Sequence, residues 1–163
     1  MKHPRMRWAL VLGFLALNAA PLHAQSTDES AADSTAPRRG MQILPAGGFR
    51  YGSPLGASVY GGVIMDRPSP DFFHGPSVFG EVGQDGMRVS VGASSVSLAG
   101  IYRAQVSVIR TWKDHGDVRA DQTYVGPEIA VGWLVGITLG HYWRISDGGG
   151  KAHILSLGTF FGI

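Results

Sequence analysis

The sequence predicts an all-β protein, an eight-stranded antiparallel up-and-down transmembrane β-barrel. The first observation is that apolar and polar residues alternate through segments of about ten residues, as in a strand with one apolar face. The second is that these segments number eight, and single-chain outer-membrane barrels have an even number of strands. The third is an export signal at the start of a chain that contains no cysteine.

The first 24 residues have the three regions of a secretory signal peptide. An apolar run over residues 8–17 precedes a cleavage site at Leu22-His23-Ala24. This run is too short for a transmembrane helix, which needs about 20 apolar residues. The basic region before it consists of Lys2, Arg5 and Arg7.

Residues 25–40 are rich in Ser, Ala, Asp and Thr and show no periodicity. Because such a segment buries little apolar surface, we predict a disordered linker there. The barrel domain is therefore assigned to residues 41–163.

Composition excludes several classes of protein. The chain has 14 Lys and Arg against 12 Asp and Glu, but three of the basic residues lie in the signal peptide, which leaves 11 against 12. This balance, without a basic patch, argues against a nucleic-acid partner. The absence of cysteine excludes disulfides, thiolate metal sites and a lipid-modified cysteine after the signal.

The first four strands are predicted between residues 41 and 97. Pro45 and the Gly47-Gly48 pair in the first strand are typical of an edge or a bend. Three prolines in residues 66–76 predict an irregular loop, on the side of the barrel where turns should be short. A hairpin turn is expected at Gln84-Asp85-Gly86. The four strands are predicted over residues 41–51, 55–65, 77–83 and 87–97.

The fifth segment, residues 101–112, is compatible with two structures. Ile101, Gln105, Val108 and Trp112 follow a helical stripe, but the β-branched residues and the two-residue alternation favour a strand. A charged loop over residues 113–122 follows it.

Residues 123–163 contain the clearest alternation and predict the last three strands. A tight turn is expected near Val135-Gly136, and the loop 147–151 precedes the final strand. The apolar face of that strand consists of Leu155, Leu157, Thr159, Phe161 and Ile163.

Aromatic residues fall near both predicted ends of the barrel, as in the two girdles of membrane barrels. One end carries Tyr51, Trp112 and Trp143, and the other carries Tyr102, Trp133 and Phe161. A soluble β-sheet protein would instead use such residues in its core.

The opposite face of the strands predicts a polar barrel interior, in which Arg and Glu compensate each other. A soluble β-sandwich would turn the same charges outward, and alternation alone does not separate the two architectures. The predicted interior residues are Glu81, Arg88, Arg103, Gln105, Glu128, Tyr142 and Arg144.

From residue 41 to 163 the pattern resembles the small outer-membrane β-barrels of Gram-negative bacteria, the OmpA-type and OmpX-type eight-stranded group. The resemblance implies that the barrel assembly machinery recognises the last strand. Leu155, Leu157, Phe161 and Ile163 match the expected alternation, although Ile163 replaces the usual terminal aromatic residue.

No catalytic, cofactor or metal site is predicted. His141, His153, Ser156 and Glu128 could form a hydrolase constellation, but the histidines have outward parity while Ser156 and Glu128 have inward parity. Carboxylates at metal-ligand spacing do not accompany the histidines.

The expected function is that of a structural or surface-interaction barrel in the outer membrane, with a side-chain-filled interior and no enzymatic activity. The expected partners are outer-membrane lipid and lipopolysaccharide. The alternatives are a lipid A-modifying outer-membrane enzyme and a soluble periplasmic all-β binding domain.

Overall fold

The computed structural model describes residues 41–66 and 72–163. The predicted signal peptide over residues 1–24 and the predicted linker over residues 25–40 lie outside the described residues. In the part of the chain that is described, no helix is long and apolar enough to cross a membrane.

The described residues form eight antiparallel strands that close into a barrel, which confirms the predicted barrel. Each strand pairs with its neighbours in sequence, and the last strand pairs with the first. The strands are β1 (Gln42–Gly52), β2 (Gly56–Asp66), β3 (Phe72–Gly83), β4 (Gly86–Ser97), β5 (Gly100–Thr111), β6 (Thr123–Gly132), β7 (Val135–Arg144) and β8 (His153–Gly162).

The predicted irregular loop is wrong over residues 72–76, because β3 begins at Phe72, and residues 67–71 lie outside the described residues. Pro76 lies in β3, next to the point where the hydrogen-bonded ladder between β2 and β3 ends. The β2–β3 ladder ends at the Ile64–Ser77 pair, whereas the β3–β4 ladder continues to Phe72. Since proline has no N–H to donate, a strand tolerates it where the neighbouring ladder ends.

The structure decides two smaller expectations in the last four strands. The turn between β6 and β7 lies at residues 133–134, two residues before the predicted Val135-Gly136. The helical alternative for the fifth segment is wrong, because β5 pairs along its whole length with β4. The two-residue alternation therefore predicted the structure of this segment correctly, and the helical spacing did not.

The two ends of the barrel differ in their connections. At one end, here called the loop end, residues 53–55, 84–85, 112–122 and 145–152 connect the strands. At the other, the terminal end, β1 begins and β8 finishes, and residues 98–99 and 133–134 form short turns.

The barrel closes through a short seam between β1 and β8. The register runs only from the Gly48–Gly162 pair to the Gly52–Gly158 pair, whereas β4 and β5 pair from Gly86 to Gly100. Glycines occupy both ends of this seam on both strands. A Cβ at Gly48 or Gly52 would overlap the backbone of β8.

Two apolar clusters lie inside the barrel. One includes Ile64, Ile101 and Phe160 and lies towards the terminal end. The other includes Ile109, Tyr124 and Ile154 and closes the loop end, where Val118 and Leu55 from the connecting loops complete it. The polar interior lies between these clusters.

Candidate functional site

Four charged side chains, here called the charge cluster, meet inside the barrel. They are Arg50 of β1, Glu81 of β3, Arg88 of β4 and Glu128 of β6, and each is at most 9% exposed. The guanidinium of Arg50 binds Glu128 through two hydrogen bonds, at 2.9 and 2.7 Å. Both Arg50 and Arg88 contact both carboxylates, at 2.7–3.4 Å.

Uncharged side chains make further hydrogen bonds with this cluster, both to its carboxylates and from its guanidinium groups. Ser58 of β2 donates to Glu81 Oε1 at 2.6 Å, and the Tyr142 hydroxyl donates to Glu128 Oε2 at 2.5 Å. Thr138 accepts from Arg50 Nη2 at 2.7 Å. Six of the eight strands therefore supply at least one member to one hydrogen-bonded group.

The charge cluster can be buried because its charges balance. A single ion in an apolar interior costs several kcal/mol, and that cost is offset only when opposite charges and hydrogen bonds surround it. Here two guanidinium groups face two carboxylates, and the network contains both bidentate and bridging contacts. The Nε of Arg88 is the one buried polar atom of the four side chains that has no partner among the described residues.

Arg103 of β5 forms a second polar group nearer the terminal end. Its guanidinium carbon lies 4.7–5.0 Å from the ring centres of Tyr60, Phe79 and Phe160. Its Nη2 donates to the Tyr60 hydroxyl at 3.3 Å. Cation–π contacts of this kind stabilise a cation more strongly where water is excluded.

A cavity of about 20 Å³ separates Arg103 from the charge cluster. That volume accommodates about one water-sized group. Side chains therefore fill the interior, as expected for a barrel of eight strands. Side chains also fill the interior at the loop end, where Tyr124 and Tyr142 are fully buried.

The structure brings together most of the residues that the sequence placed in the interior. Arg144 is different, because it lies at the last position of β7, is half-buried and donates to the Gly150 carbonyl at 2.9 Å. It takes no part in the charge cluster. The other six are buried: Glu81, Arg88, Arg103, Gln105, Glu128 and Tyr142.

Sequence reasoning missed Arg50, which makes the largest number of contacts to the carboxylates. Pro45 and the glycine pair obscured the alternation of the first strand, so no face was assigned to it. The signal was nevertheless present, because Phe49 and Tyr51 flank Arg50 and are 63% and 70% exposed.

The aromatic residues predicted for the two girdles lie on or near the outer wall. At the loop end, Trp112 follows β5 and is half-buried, and its Nε1 donates to the Gln84 carbonyl at 2.9 Å. The other five side chains are exposed: Tyr51, Tyr102, Trp133, Trp143 and Phe161.

The structure does not bring the two histidines together with Ser156 and Glu128 as a hydrolase constellation. His141 and His153 face outward, with ring centres 5.7 Å apart, and His141 also lies against Trp143. Ser156 is buried and donates to the Ser53 carbonyl, while Glu128 belongs to the charge cluster. Residues 41–66 and 72–163 contain no group of three potential metal ligands.

The loops at the loop end carry charged pairs on the surface. Lys151 Nζ lies 2.5 Å from Asp117 Oδ2, and this contact holds the pKa of the exposed Asp117 carboxyl below its usual range. His115 Nδ1 lies 2.9 Å from Asp85 Oδ2. These pairs join the loop 112–122 to the neighbouring loops.

The similarity searches give no assignment: no family model matches the chain, and no curated protein or solved structure is significantly similar to it.

Proposed function

We propose that this chain is an outer-membrane β-barrel of structural or surface-interaction type, whose interior is closed by its own side chains. The observation that best supports this proposal is the distribution of charged and apolar residues between the interior and the outer wall. Charged residues occupy the barrel interior, while large apolar side chains cover the outer wall. A water-soluble barrel would have the opposite arrangement.

The composition of the outer wall supports the proposal that the wall faces hydrocarbon, because every strand exposes large apolar side chains there. Val91, Val106, Ile129 and Leu157, from four different strands, are 52–63% exposed. Among the described outward positions of the strands, none carries Asp, Glu or Lys; the charged residue there is Arg110, near the loop end. Contiguous apolar surface of this extent indicates contact with lipid or protein.

Strand length and closure support a membrane-spanning barrel. The strands have 10 to 12 residues, and a tilted strand of about 9–11 residues crosses a bilayer. A closed barrel also satisfies backbone N–H and C=O groups without water, which a chain in hydrocarbon requires.

The longer loops give the barrel an orientation in this proposal. Extracellular loops of such barrels are longer than periplasmic turns. The loop end, with residues 112–122 and 145–152, would therefore face outward, in contact with lipopolysaccharide. The terminal end would face the periplasm, and β8 would carry the signal for the assembly machinery.

Cell fractionation of the full-length chain tests the location. We expect the protein in the outer-membrane fraction, and faster migration on SDS gels without heating than after heating, because a closed barrel stays folded in SDS. Recovery from the soluble periplasm would contradict the proposal.

Lipid A mass spectra separate this structural function from the enzymatic alternative. We expect identical spectra from cells with and without the protein, since the described residues bring no nucleophile, base and orienting carboxylate together on the outer wall. A new lipid A species that depends on expression would show that the barrel is an enzyme.

A further inference from the structure

We propose that a groove in the outer wall, across β1, β8 and β7, binds one acyl chain of lipid A. This inference rests on the proposed function, because it takes the outer wall to face lipid and the loop end to face outward. Three features of the molecule carry it: the shape of the seam between β1 and β8, the apolar row that lines the groove and the polar residues at its upper end.

The groove forms because β1 stops before β8 does at the loop end. β1 ends at Gly52, which pairs with Gly158, whereas β8 begins nearer the loop end, at His153. The chain after Gly52 does not continue beside β8. It turns into the mouth of the barrel, where Leu55 is 1% exposed and packs in the apolar cluster. The N–H of Ser53 donates to the carbonyl of residue 157 at 3.2 Å and holds this turn against β8, which leaves a depression on the outer side of the seam.

An apolar row gives the groove its direction. Tyr51, Thr159 and Ile137 are register partners on β1, β8 and β7, and all three line the groove together with Leu157. Because the strands of a barrel are tilted, this row descends from the rim, where β1 ends, towards the terminal end, where β7 begins. Tyr51, Ile137 and Leu157 are 54–70% exposed, so no described side chain covers them.

The volume of the groove suits a hydrocarbon chain. It measures about 380 Å³. At ~30 Å³ for each water-sized group, it has room for about a dozen methylene groups. Lipid tails are as apolar as the wall, so a chain is held there by closer packing and not by removal from water.

The end of the groove at the rim is polar and suits a sugar headgroup. Ser53, Gly56 and His115 line it there. His115 Nδ1 lies 2.9 Å from Asp85 Oδ2, and since a carboxylate accepts, Nδ1 carries the proton. Nε2 of the neutral ring is then the nitrogen that can accept from a hydroxyl group. The disaccharide of lipid A supplies such hydroxyl groups at the outer surface of the membrane, directly above its acyl chains.

Native mass spectrometry of the full-length barrel, extracted from outer membranes with a mild detergent, tests the groove in the unaltered protein. We expect one lipid A molecule to be retained on each barrel. A bound phospholipid, a dimer of the barrel without lipid, or a barrel without any bound molecule would overturn the proposal. Because the protein is taken from the outer-membrane fraction, these outcomes would leave the proposed function unaffected.

Two matched variants assign the retention to the groove. Ile137→Trp fills the groove with an indole ring and should lose the bound lipid A. Val91→Trp enlarges a side chain on β4, on the opposite side of the ring and outside the groove, and should retain it. Ile137 and Val91 are 54% and 52% exposed, so neither substitution disturbs the interior. Retention of lipid A by Ile137→Trp would contradict the proposal.

Equilibrium unfolding in phosphatidylcholine vesicles, with and without added lipid A, gives a second measurement. A ligand that binds only the folded state lowers the unfolding equilibrium constant by up to about tenfold for each tenfold rise in its concentration. We expect this effect for the unaltered barrel and for Val91→Trp, and its loss in Ile137→Trp. Equal effects on all three proteins would overturn the proposal. If Ile137→Trp does not fold, Leu157→Trp fills the same groove from β8.

Discussion

Replacement of Glu128 by glutamine is expected to lower the free energy of unfolding by about 3–5 kcal/mol, the usual cost of leaving a buried charge without its partner. The substitution preserves the shape of the side chain but removes a negative charge from among Arg50, Arg88 and Tyr142. Two guanidinium groups would then share the single carboxylate of Glu81.

Equilibrium unfolding of the refolded barrel in lipid vesicles measures this loss. Asp117→Asn is the matched control, because it removes a carboxylate from an exposed surface pair with Lys151, and we expect it to leave stability unchanged. If Glu128→Gln were no more destabilising than this control, the charge cluster would stabilise the barrel no more than an exposed surface pair does.

A double-mutant cycle of Arg50 and Glu128 tests whether the two act as a unit. Since Arg50 binds Glu128 through two hydrogen bonds, the double variant Arg50→Gln with Glu128→Gln should lose less stability than the sum of the single variants. Additive losses would indicate independent contributions.

The second large effect is expected on the outer wall. Val106→Arg, near the middle of β5, should destabilise the barrel in a bilayer by about 2–4 kcal/mol, because the charge would lie near the membrane midplane. Val106 is 52% exposed, so the substitution creates no cavity and breaks no interior contact.

Val135→Arg provides the matched control for this experiment. Val135 is 63% exposed and is the first residue of β7, at the terminal end, where a charge should cost only about 0–1 kcal/mol. Equal and small effects at both positions, within about 0.5 kcal/mol, are what a water-exposed surface would give. That result would contradict a membrane environment.

The strands and their faces were readable from the sequence because a strand has a fixed period of two residues. Once Val125 was assigned to the outer wall, the inward positions of Glu128 and Tyr142 followed without any tertiary information. Proline caused the main local error, since Pro76 read as a loop residue and lies within β3.

The partners inside the barrel could not be predicted in the same way. Arg50 and Glu128 lie 78 residues apart on strands that are not neighbours, so their contact forms across the interior. Which residues share a level inside a barrel depends on the tilt and stagger of the strands, quantities that the alternation does not contain. Arg103 was assigned to the interior, but its three aromatic neighbours from β2, β3 and β8 were not foreseen.

The glycine seam between β1 and β8 has a consequence for how the ring can form. These two strands are the most distant in sequence, so joining them carries the largest chain-entropy cost of the eight ladders, and their register is also the shortest. The cost is tolerable only if the two backbones can come into direct contact. Side chains at Gly48 or Gly52 would block that contact. Closure of the sheet into a ring therefore depends on a few positions that carry no side chain. With side chains at these positions, the sheet would stay open and curved.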